Sequence, residues 1–148
     1  MFEETALVLV DVAPGATVPR GLEPLTAAFR ASSRPVIHAT RGAVAPALLS
    51  ATAPELDTEL LRAGGVQTLG MSEMAIDLPG AGAFEATPLD SLLRSLGVRE
   101  VVIGGVTGSA ALTQTIRAAE VRGFSPMLAT EELAIVLGAQ LSSAGSAA

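Results

Sequence analysis

Short aliphatic and β-branched runs alternate along the chain with stretches whose apolar residues recur every three or four positions. Ala6–Val12 is apolar on both faces until Asp11, the pattern of a strand covered by helices on both sides. Leu22, Leu25 and Phe29 follow at helical spacing, with Pro19 and Pro24 near the start and Ser32-Ser33 at the end. Pro35–Thr40 then reads as a second strand. Between 41 and 66 the sequence is rich in Ala, Gly and Pro, and only Glu55–Ala63 has a helical pattern. Ala75–Leu78 reads as a short strand. Pro88–Leu96 is a helix with Leu89, Leu92, Leu93 and Leu96 on one side and Gly97 as its stop. Glu100–Gly105 is the clearest buried strand. Ser109–Arg122 is a helix whose inward stripe is Ala111, Leu112, Thr115, Ile116 and Ala119. Pro126–Ala129 and Glu131–Leu141 give the last strand and helix.

Strands alternating with helices of this length predict an α/β fold: a three-layer α-β-α sandwich on a mostly parallel sheet of about five to six strands, joined by right-handed crossovers. No repeat or linker divides the chain. Residues 1–141 are read as one domain and 142–148 as a flexible tail. In such a sheet ligands bind beyond the carboxyl ends of the strands. That rule selects Asp11, the segment His38 to Arg41, the loop Leu78–Phe84 and the turn Gly105–Ala111.

Composition narrows the chemistry. The 148 residues include no Cys, and all nine basic residues are Arg, so Lys is also absent. Disulfides, Cys-ligated metals, a Cys nucleophile, a Schiff-base lysine and a P-loop lysine are excluded within this sequence. The single His38 argues against a His-built metal cage, and neither a metal nor a cofactor is expected. A net charge of −6 argues against nucleic-acid and anionic-membrane partners. The acidic start Met-Phe-Glu-Glu-Thr and the short apolar run after it do not resemble a secretory signal, so a cytoplasmic location is expected.

Asp11 is the sharpest candidate. An acid that ends a run of Val and Leu either caps a neighbouring segment or is buried with its proton affinity raised, which equips a carboxyl for proton transfer. The turn Gly105-Val106-Thr107-Gly108-Ser109 leads a buried strand into a helix N-terminus. Its N–H groups can receive an oxyanion, or the glycines simply serve packing. Its spacing lacks the Gly-x-Gly-x-x-Gly dinucleotide signature. His38 is either a satisfied core residue or a ligand contact. Arg41 either binds a carboxylate or faces solvent, and Asp77 and Glu85 flank the Gly-rich loop as further acids.

Three segments in this order resemble the isochorismatase-like hydrolase family, whose relatives include nicotinamidases and N-carbamoyl amide hydrolases. They are Ala6-Leu-Val-Leu-Val-Asp11-Val, Pro35-Val-Ile-His-Ala-Thr-Arg41 and Ala83-Phe-Glu-Ala-Thr-Pro-Leu-Asp90, continued by Leu93 to Val106 and by the helix and turn of Thr113 to Gly123. The resemblance spans most of residues 5–125. It implies the family's Asp at Asp11, places the family's Lys on Leu78 and its Cys on Ala111, and puts Gly108 and Ser109 where Thr and Asp usually stand. It also implies a cis Val106–Thr107 peptide, with the N–H groups of Thr107 and Ala111 at the family's oxyanion position. The His/Asp metal cluster of nicotinamidases has no counterpart here.

The resemblance therefore implies a homologue that has lost Cys/Lys-dependent hydrolysis and serves as a small-molecule-binding or scaffolding pseudoenzyme. His38, Arg41, Phe84, Val106, Thr107, Gly108 and Ser109 are its expected ligand contacts, and an uncharged or aromatic ligand suits a pocket made more apolar by Leu78 and Ala111. A homodimer or homotetramer is expected, as is common in the family. The alternative is an enzyme that uses Asp11 as general acid or base for enol-ether cleavage, elimination, isomerisation or cyclisation in specialised metabolism. Its precedent is the phenazine-type isochorismatases, which lack the Cys but keep the Lys.

Overall fold

The computed structural model describes residues 4–146 apart from 14, 16, 42–45, 51, 71, 79, 81, 86 and 107. Its centre is β1 (Thr5–Val10), in which all six residues are buried. A strand with no polar face requires cover on both sides, and helices supply it. α1 (Leu22–Ala31) buries Leu22, Leu25, Thr26 and Phe29, with Glu23 in its first turn and Arg30 in its last, each complementing the helix dipole. Pro24 falls in the first turn, where its missing N–H removes no helical bond. β2 (Val36–Thr40) pairs in parallel with β1.

α2 is confined to Thr58–Arg62, shorter than the Glu55–Ala63 expected, because Asp57 takes the N-cap and accepts from the Leu60 N–H. A two-residue β3 (Gln67–Thr68) then pairs antiparallel with β4 (Glu73–Asp77). Two residues are too few to carry a periodicity, so β3 escaped the sequence pattern. β4 starts two residues before the expected Ala75, on an acid. α3 (Leu89–Ser95), β5 (Glu100–Gly105), α4 (Ala110–Val121) and β6 (Ser125–Leu128) lie within a residue or so of expectation. α5 runs from Glu131 to Ser146, through most of the segment expected as a flexible tail. Beyond Leu141 the sequence offers only small residues, so hydrophobic spacing could not register the continuing helix.

The sheet order is β3-β4-β2-β1-β5-β6, parallel except for β3. The chain moves outward from β1 to β4, then returns to β5 beside β1. That reversal creates the crevice where such sheets place ligands. Alternating strand residues feed two cores. Val8, Val10, Ile37, Ile76 and Ile103 pack with Leu89, Leu93 and Leu112 from α3 and α4. Leu7, Leu9, Val36 and Val102 pack with Phe29 of α1 and Leu137 of α5. Among the described residues no helix is long and apolar enough to cross a membrane.

Candidate functional site

Parallel register brings the strand ends together. Val10 lies opposite Ala39 and Gly105, and Thr40 opposite Asp77. The residues that follow, Asp11, Arg41, Leu78 and Val106, therefore meet along one edge. The ladder also continues past the strands, with Asp11 N–H donating to Ala39 O at 2.8 Å and Leu78 N–H to Thr40 O at 2.9 Å.

Asp11 has φ +55°, a left-handed conformation that Asp tolerates better than most residues. This turn lifts its carboxylate out of the sheet. Arg41 Nε donates to Asp11 Oδ2 at 2.9 Å, and Arg41 Nη1 donates to Gly80 O at 3.2 Å. The side chains are 37% and 47% exposed. Asp11 is thus an open, guanidinium-paired carboxylate, which does not match the buried acid that was one of the two readings open for it. Glu85 adds a second carboxylate nearby, since a Cβ on Gly80 would lie 3.2 Å from Glu85 Oε2.

Leu78 and Ala111 are buried, 2% and 6% exposed, in one apolar cluster with Val10, Ala83, Phe84 and Leu112. Phe84 stacks on Phe124 with ring centroids 5.8 Å apart, so it belongs to the core more than to the edge. Ser109 is engaged as the N-cap of α4, its Oγ accepting from the Leu112 N–H at 3.2 Å. Gly108 has φ +79°, which closes the turn without strain. Thr107, and with it the expected cis peptide, lies outside the described residues.

On the far side of this turn is a cavity of about 260 Å³ lined by Gly105, Gly108, Leu112, Leu128, Ala129 and Thr130 among others. It sits between the first turns of α4 and α5, and its walls are largely apolar. The sequence had not singled out Leu128 to Thr130. The Pro-Met-Leu run of an edge strand carries no chemical signal on its own.

His38 is not at this edge. Strand alternation turns it, with Val36, toward the α1 side, where it is 1% exposed and Nε2 lies 2.8 Å from Glu73 Oε2. Arg30 Nη2 donates to the same oxygen at 2.7 Å. Burial alone would raise the Glu73 carboxyl, but the hydrogen bonds from His38 and Arg30 outweigh it and hold it at about 2. Glu73 was legible in principle, as an acid opening an otherwise apolar run.

Residues 5–132 match the family model described as the isochorismatase domain. Among solved structures, an isochorismatase family protein from Burkholderia thailandensis superposes with a TM-score of 0.60 at 24% identity, covering 86% of this chain and 77% of its own. A nicotinamidase from Staphylococcus aureus gives 0.58 at 19%, covering 84% and 78%. A pyrazinamidase from Pyrococcus horikoshii, solved in complex with zinc, gives 0.57 at 20%, covering 95% of each chain. No curated protein matches the sequence. At these identities the structural likeness is one of fold. A zinc centre does not fit the residues present here: the one imidazole is committed to Glu73, and no three His, Asp or Glu side chains converge among the described residues. With the family model spanning nearly the whole sheet and its helices, the chain belongs to the isochorismatase family.

Proposed function

We propose that this family member binds a small, uncharged or aromatic molecule at the carboxyl edge of its sheet and does not hydrolyse it. The observation that carries this reading is the burial of Leu78 and Ala111 within the core, in a sequence that contains neither Lys nor Cys. A thioester mechanism needs a thiol and a group to activate it, and aliphatic side chains supply neither. The adjacent apolar cavity of about 260 Å³ is large enough for one aromatic ring with substituents. The ligand is held mainly by apolar contact with Leu112, Leu128 and Ala129, while the Asp11–Arg41 pair lies across the turn and does not line the cavity.

Nicotinamide serves as the test molecule. Wild-type protein is expected to release no ammonia from it, and native mass spectrometry of freshly purified protein is expected to detect a bound small molecule. Leu128→Trp, which fills the cavity from a partly exposed position, is expected to remove that ligand while leaving the circular dichroism spectrum unchanged. Ammonia release abolished by Asp11→Asn would overturn the reading.

One observation favours a second reading. Asp11 keeps a left-handed backbone conformation at the strand end, the kind of strain that persists at functional sites. On that reading Asp11 is a general acid or base for enol-ether cleavage, elimination, isomerisation or cyclisation, and Arg41 steers its carboxylate.

A further inference from the structure

Asp11 holds a left-handed φ of +55°, a conformation that persists only where the surrounding structure leaves the chain no easier alternative. Three backbone hydrogen bonds enclose the turn. Asp11 N–H donates to Ala39 O at 2.8 Å, Ala13 N–H to Asp11 O at 3.1 Å, and Ala47 N–H to Val12 O at 2.7 Å. The third comes from a segment distant in sequence, and what holds that segment also holds the turn.

Residues 46–50 lie on the α1 side of the sheet. Pro46 is buried, Leu48 packs against the core shared by α1 and α5, and Leu49 packs against Leu61, Leu69 and Ala75. Apolar contact is non-directional, so it presses the segment down without fixing where along its length it rests. Polar groups at the far end supply that. Arg30 Nη2 donates to Leu48 O at 2.9 Å, and Ser50 N–H donates to Glu73 Oε2 at 3.3 Å. Arg30 Nη2 and His38 Nε2 hold the same carboxylate oxygen at 2.7 and 2.8 Å. Glu73 lies opposite Val36, whereas Val10, just before Asp11, lies opposite Ala39. The ionic group is therefore about 13 Å down the strands from Asp11. A buried ion pair is a poor source of stability in itself, and its best-attested use is to fix register.

We propose that residues 46–50 form a strap through which Arg30 and Glu73 position the Asp11 turn and, with it, the carboxylate that faces Arg41. Arg30 and Glu73 are positioning residues, and neither lines the cavity at the carboxyl edge. The inference goes beyond the ligand reading and does not depend on it. Such coupling is reciprocal, so loosening either end of the strap must be felt at the other.

Amide hydrogen exchange followed by NMR at neutral pH tests one direction. Arg30→Met keeps the apolar stem and removes the guanidinium. Protection of the Asp11, Ala13 and Ala47 N–H groups is expected to fall about tenfold relative to Ala119, buried in α4 on the other face of the sheet, as befits loss of about one charge-assisted hydrogen bond. The Arg41 Nε–H resonance is expected to move, because its acceptor is Asp11 Oδ2. Ala47→Pro tests the other direction. Ala47 follows Pro46 in a turn closed by Leu49 N–H on Pro46 O at 3.4 Å, a position that accepts proline, so the substitution removes the N–H that Val12 O accepts. The ring signals of His38, the only imidazole in the chain, are expected to shift in that variant. Faster exchange confined to Ser50 or an equal loss of protection at Ala119 in Arg30→Met, or an unmoved His38 ring in Ala47→Pro, would each overturn the proposal.

Discussion

Two adjacent glycines end β5 and have different tasks. A Cβ on Gly105 would lie 2.7 Å from Val10 O, a backbone atom fixed in the neighbouring strand. A Cβ on Gly104 would lie 2.7 Å from Leu22 Cδ1, the far end of a flexible side chain rather than fixed backbone. Gly105→Ala is therefore expected to cost about 2–3 kcal/mol and Gly104→Ala about 1 kcal/mol or less, read from urea unfolding of the two variants. A larger loss at Gly104 would mean that Leu22 has no alternative rotamer. Sequence spacing pointed to this turn as a possible anion cradle. The contacts give Gly105 a more immediate reason, which is close approach of β1 and β5 at the crevice. Asp11 shows the same limit, since its place at the end of an apolar run was legible but its left-handed turn into solvent toward Arg41 was not.

Among the elements, β4 is the one whose chemistry the pattern least revealed. It opens with Glu73, whose carboxyl stays ionised in the folded chain down to about 2 against an ordinary 4.5. The folded state thus binds fewer protons than the unfolded state over that interval. Stability conferred by the Glu73 ion pairs is fully present above about pH 4.5 and is lost progressively as the pH falls toward 2. Acid titration of unfolding free energy is expected to fall through this window in the wild type and to fall less steeply in Glu73→Gln. Parallel slopes would show that the unfolded state retains the same contacts. The strands and long helices were readable because burial on one or both faces imposes periods of two or about 3.6 residues. The partnership of Arg30, His38 and Glu73 was not, because its members come from three elements and meet only through sheet order.

At the scale of the molecule, β6 forms one edge of the sheet, and α5 follows it. Leu128 is 42% exposed, and Ile135 and Val136 are 55% and 51% exposed. We extend the functional proposal to a homodimer or homotetramer that covers this surface, since an edge strand beside exposed aliphatic residues favours self-association. Sedimentation velocity is expected to give an assembly larger than the monomer for the wild type and a monomer for Ile135→Glu with Val136→Glu. A wild-type monomer at micromolar concentration would set the proposal aside.

Sequence alone determined the order of the strands and helices apart from the two-residue β3, the mostly parallel α/β class and the family pattern, because each follows from local periodicity and short motifs. It also determined that the sequence supplies no lysine amine and no cysteine thiol. Only the tertiary structure decided where the remaining polar groups went. The register of β1, β2 and β4 set Asp11 beside Arg41 at one edge, while strand alternation sent His38 to Glu73 and Arg30 beneath the other. Which face a strand residue occupies, and which distant residue meets it there, depends on pairing across the whole sheet, and that pairing is written in no single segment of the chain.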